Sequence, residues 1–177
     1  MVGQAASREM QHLPGLVPPA PLRISKSHDL AVSMPDSVRM ALDASEAYKL
    51  FFVFERYLLD FVVEVLTKDG FEDWWPKVPK DVQDELTRLE ETEDAKSWMA
   101  LGSRNKSSLM TYAQILRVID HCWKDHFEDL IRDKALIQQA RLIGHLRNTI
   151  CHMTPIPEEE VERVRQTMRD WFRRVAP

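Results

Sequence analysis

Between residues 47 and 65 the chain sets Ala47, Phe51, Phe54, Leu58, Phe61, Val62 and Val65 mostly three or four residues apart. Only a helix, at about 100° per residue, gathers such a series on one side. A strand would scatter it over both faces. The stretch therefore predicts a long first helix with one buried face. Pro35-Asp36-Ser37 offers it one start and Ser45 a second, and Asp69-Gly70 offers a stop with glycine at the C-terminal cap. Five glycines in 177 residues leave little material for a turn-rich all-β fold.

The same period returns further on. The segment 79–92 has a narrow apolar side of Val82, Leu86 and Leu89, with Pro79 near its first turn. Thr111 with Gln114 has the form of a capping box, opening a helix that lines up Tyr112, Ile115, Leu116, Ile119 and Trp123. A helix over 134–151 carries Leu136, Ala140, Ile143, Leu146 and Ile150, and must end before Pro155 and Pro157. A last one starts at Pro157 or Glu158 with three glutamates in its first turn, and aligns Val161, Val164, Met168, Trp171, Phe172 and Val175. The expected fold is all-α, an up-and-down bundle of four to six helices over 35–177. Residues 1–34, with Pro14, Pro18, Pro19 and Pro21 and no periodicity, are expected to be a flexible proline-rich leader.

Several function classes drop out. The richest apolar stretch, 50–66, still carries Glu55, Arg56, Asp60 and Glu64, so no membrane span is expected. No charged segment followed by an apolar core opens the chain, and two cysteines, Cys122 and Cys151, do not make a disulfide framework; a reducing, cytoplasmic setting fits. A formal charge of −4 argues against indiscriminate coating of nucleic acid. Cys122 with His126, and His121 with Asp125, stand four apart as metal ligands can, but no second cluster completes a shell. No metal or other cofactor is expected. Phe71, Trp74 and Trp75 sit at an element junction, where core packing is favoured over base stacking.

One run breaks the pattern. Arg147-Asn148-Thr149-Ile150-Cys151-His152 closes the 134–151 helix, and Arg147 projects among its apolar residues. A guanidinium there needs a partner, a wet cavity or an anion. Glu55, beside the first helix's stripe, is the acid considered for it; a solvated glutamate is the other reading. The chain has no Gly-rich phosphate loop, nucleophile elbow or zinc-protease helix pair. An arginine, an amide and a histidine can cleave RNA without a metal, because the 2′-hydroxyl is the nucleophile. Histidine moves protons near neutral pH. Arginine's fork suits phosphate oxygens. Asn148 and His152 share a helix face, whereas Arg147 points about 140° from His152. One straight helix does not aim both at one phosphate, so either the helix end distorts or two copies meet at one cleft. Arg165, Arg169 and Arg173, four apart in succession, line a further edge that either contacts phosphates or only solubilises the last helix.

The run matches the hallmark of the HEPN superfamily, Arg, four to six residues, then His, often with Asn directly after the Arg. With Phe54-Glu55 in an aromatic first helix, tryptophans after it, Trp123 in the middle and Trp171 in the last helix, residues 44–175 resemble one branch in particular. That branch comprises the HEPN domains at the C-terminus of a eukaryotic nuclear transcript-surveillance endonuclease and their bacterial stand-alone relatives. The resemblance implies a helical bundle, a homodimer, and in many members a metal-independent endoribonuclease with its site at the dimer cleft. Arg147 and His152 would be catalytic and Asn148 supporting. It also implies use as a toxin in toxin–antitoxin or antiviral systems, with an antitoxin or partner protein. Other members are catalytically silent, so the alternative is a helical adaptor that binds RNA, nucleotide or a protein.

Overall fold

The computed structural model describes residues 20–67, 73–99 and 105–175. Compact units meet in sequence between Leu42 and Asp43. In the first unit, strands β1 (Arg23–Ser25) and β2 (His28–Asp29) pair antiparallel and lead into helix α1 (Leu30–Ser33). Part of the stretch expected to be an extended leader is thus locally ordered, and Asp29 is the reason. Its Oδ1 accepts from the backbone N–H of Leu22 at 3.0 Å and of Ala31 at 2.9 Å, capping α1 and tying the preceding strand to it. Pro14, Pro18 and Pro19 lie outside the described residues.

Helix α2 runs unbroken over Pro35–Thr67, taking the earlier of its two possible starts. In the second unit its stripe behaves as the spacing requires: Ala47, Phe51, Phe54, Leu58 and Val62 are buried, and Phe61 and Val65 are half-buried. The expected stop at Asp69-Gly70, and Phe71, lie outside the described residues. Trp74 and Trp75 pack edge to face at 5.6 Å against the core, as expected of a junction. Helix α3 (Lys80–Ala95) buries Val82 and Leu86, while Leu89 is exposed.

The capping box of α4 (Tyr112–His121) forms in both directions: Thr111 N–H donates to Gln114 Oε1 at 2.8 Å, and Gln114 N–H to Thr111 Oγ1 at 3.4 Å. The predicted continuation to Trp123 differs. After Cys122 the chain widens into a π-helical turn, Trp123–Phe127, before the short α5 (Glu128–Ile131). One extra residue per turn shifts the register so that both Trp123 and Phe127 are buried. Helix α6 (Ala135–Cys151) and helix α7 (Glu158–Arg174) take nearly the predicted bounds. Phe54 meets Trp171 at 5.8 Å and Phe172 at 6.0 Å, both edge to face, so the first and last long helices share one aromatic core. No described helix is long and apolar enough to cross a membrane.

Candidate functional site

Helix α6 is held where the site needs it by Tyr112, whose buried hydroxyl donates to the Ala140 carbonyl at 2.8 Å. Burial, and after it the nearby Glu55 carboxylate, push this phenol far up, so it remains a neutral donor. About two turns beyond Ala140, Arg147 reaches α2. Its Nε donates to Glu55 Oε2 at 3.2 Å and its Nη2 to Glu55 Oε1 at 3.3 Å. The side chains are 27 % and 22 % exposed, so the pair is largely but not wholly withdrawn from water. Burial opposes the charge on Arg147, and the attraction and hydrogen bonds of Glu55 outweigh it, leaving the guanidinium more firmly protonated than usual. Of the two readings open for Glu55, the structure shows the ion pair.

The pairing is side-on. Two of the five guanidinium N–H groups serve Glu55, which leaves both on Nη1 and one on Nη2 for something else. Arg147 borders a cavity on each side. One, of about 220 Å³, is lined by Tyr48, Phe52, Glu55, Met110 and Cys151 among others. The other, of about 480 Å³, brings Arg147 and Asn148 together with Thr111, Arg141 and His145. The second also includes Tyr112, so that it gathers two arginines, an amide, two hydroxyls and a histidine, and it is within the size range of small-ligand sites.

His152 stands apart. It is the C-terminal cap of α6, its N–H bonded to the Asn148 carbonyl at 3.0 Å. The turn after it is a Schellman motif: Met153 N–H donates to the Ile150 carbonyl and Thr154 N–H to the Thr149 carbonyl. Met153 takes the left-handed conformation, φ 61°, where glycine is usual. The imidazole of His152 is exposed, has no hydrogen-bond partner among the described residues, and lines neither cavity. Within one chain, then, the Arg147 and Asn148 of the motif share a cavity and its His152 does not.

The arginines of α7 are engaged with acids of the same helix. Arg165 Nη1 donates to Glu158 at 2.7 Å and to Glu162 at 3.3 Å, Arg169 Nη2 to Glu162 at 2.6 Å, and Arg173 lies 3.6 Å from Asp170. The acids three and seven residues away explain how three like charges tolerate one edge. Cys122, one of the spaced metal-ligand types, instead donates its thiol to the Lys77 carbonyl at 3.2 Å, and burial pushes that thiol up. No group of three or more His, Cys, Asp or Glu side chains among the described residues could hold a metal ion.

Sequence reasoning passed over His145, Arg141 and Thr111, which the structure adds to the cavity of Arg147. His145 had a legible signal, since it precedes His152 by seven residues and so falls about 20° from it on the same face of α6.

An all-helical core whose penultimate helix closes with Arg147-Asn148 and His152, the arginine held by an acid from the first long helix, defines the class of helical domains bearing an Arg-x4-His run. A family model described as Swt1-like HEPN matches residues 49–176, and the chain belongs to that family. Comparison with curated proteins and with solved structures gave no match.

Proposed function

We propose that this protein is a metal-independent endoribonuclease that cuts single-stranded RNA, acting as a homodimer in which the His152 of one copy meets the Arg147 and Asn148 of the other. The observation that carries the reading is the state of Arg147: anchored by Glu55, with donors to spare, on the wall of a cavity that holds Asn148. A guanidinium so placed can bind a phosphate oxygen without giving up its anchor. The exposed imidazole of His152 needs a second surface to bring it to a phosphate. Exposed Tyr48, Phe52 and Val53 on α2 and Leu142 on α6 are apolar area that a second copy would cover.

In this reaction a base takes the proton of the 2′-hydroxyl, O2′ bonds to phosphorus, and the P–O5′ bond breaks as an acid protonates O5′. The products are a 2′,3′-cyclic phosphate and a 5′-hydroxyl. Arg147 steadies the charge on the phosphate, and Glu55 positions Arg147. Arg165, Arg169 and Arg173 are a secondary RNA contact, since each must exchange an acid for a phosphate. Use of the nuclease as a toxin, silenced by an antitoxin, is the role proposed for it. Incubation of labelled single-stranded RNA with the purified protein in chelator tests the reading. Cyclic-phosphate ends from the wild type, lost in Arg147→Ala and in His152→Ala, support it. RNA binding without products would establish the adaptor alternative instead.

A further inference from the structure

We propose that His145 is a catalytic proton-transfer residue of the same site, so that each site holds His145 beside Arg147 from one protomer and His152 from the partner. The inference rests on the ribonuclease reading above. Cleavage at a 2′-hydroxyl needs two proton transfers, one from O2′ and one to O5′, and a single imidazole from the Arg-x4-His run accounts for only one of them at a time. The cavity that holds Arg147 and Asn148 already contains an imidazole, that of His145. It is exposed, and no hydrogen bond or ion pair among the described residues engages it. The charged and titratable residues that line its cavity with it are Arg141 and Arg147 from its own helix and Tyr112 from α4; Asp120 pairs with Arg141 at 2.9 Å, and Glu55 with Arg147. Tyr112 is spent on the Ala140 carbonyl, which leaves the His145 imidazole, a side-chain type suited to proton transfer, as the acid–base group of this cavity.

With His145 on the cavity wall, one imidazole accepts the 2′-hydroxyl proton as the O2′–P bond forms, and the other protonates O5′ as the P–O5′ bond breaks. No water, metal or other co-reactant enters this step.

The test is cleavage by His145→Ala and by its conservative variant His145→Gln, with His121→Ala as a control histidine outside the cavity. His145→Ala and His145→Gln should each lower kcat by about 10²- to 10³-fold with little change in KM, the scale of a lost acid–base group. Each should also remove one limb of the pH–rate profile, while His121→Ala behaves as wild type. Mixing the inactive His145→Ala and His152→Ala proteins, with time for subunits to exchange, should restore about one quarter of wild-type activity, because half the dimers are mixed and each has one intact site. Wild-type rates in the His145 variants overturn the inference and leave the nuclease reading standing. Two inactive variants that do not complement overturn the shared-site arrangement. Absence of cleavage by the wild type overturns both.

Discussion

Replacing Glu55 by glutamine removes the charge that holds Arg147 while keeping shape and size. The two hydrogen bonds, at 3.2 and 3.3 Å, join residues 92 apart in sequence, so they tie α6 to α2 across the core. An exposed ion pair contributes up to about 1 kcal/mol, and truncating one partner of a fully buried pair costs about 3–5 kcal/mol. With its side chains 22 % and 27 % exposed, this pair falls between, and we expect a loss of about 2 kcal/mol. For a helical unit of this size that lowers Tm by roughly 6–8 °C. Chemical denaturation of Glu55→Gln, Arg147→Met and the double variant measures the coupling directly. The double variant should lose clearly less than the sum of the singles, by about 1 kcal/mol or more. Additive single losses, each under about 0.5 kcal/mol, would refute the claim that Glu55 anchors Arg147.

Two further outcomes follow from the geometry around α6. Met153→Gly should raise stability by about 0.5 kcal/mol, because relief of the left-handed strain exceeds the added freedom of the unfolded chain; its side chain, 88 % exposed, has no packing to lose, and an unchanged or lower Tm contradicts this. Asp120 lies 2.9 Å from Arg141 and 3.0 Å from Lys134, and the Arg141 hydrogen bond, followed by that of Lys134, holds its carboxyl below the usual range. A carboxyl lowered on folding adds stability above its unfolded value, near about pH 4, and loses it as pH falls through the folded value. Wild type should therefore exceed Asp120→Asn by under about 1 kcal/mol after solvent screening at pH 7, with the gap closing on acidification; a gap that persists at low pH contradicts it.

Periodicity made the helices legible. The stripe from Ala47 to Val62 is buried as spaced, and the box of Thr111 and Gln114 closes in both directions. The π-turn at Trp123–Phe127 was not legible, since periodicity fixes which residues seek the core and not where the backbone inserts a residue to bury both aromatics. The order around Asp29 escaped for a related reason: a single carboxylate bonded to two backbone amides creates structure without any apolar pattern. At the site, the misfit of Arg147 among apolar neighbours called for a partner, a wet cavity or an anion, and the structure supplies Glu55 as the partner. What one helix wheel could not reveal was the cavity. Residues from α4 and the turn before it come to Arg147 only through tertiary packing, and with them His145 acquires neighbours that its own helix does not provide.

The most direct test is the fate of single-stranded RNA incubated with this protein in the presence of a chelator. The account predicts fragments ending in 2′,3′-cyclic phosphate and beginning with a 5′-hydroxyl, produced by the wild type and absent with Arg147→Ala. Intact RNA with the folded wild-type protein, or equal cleavage by the Arg147→Ala protein, would contradict it.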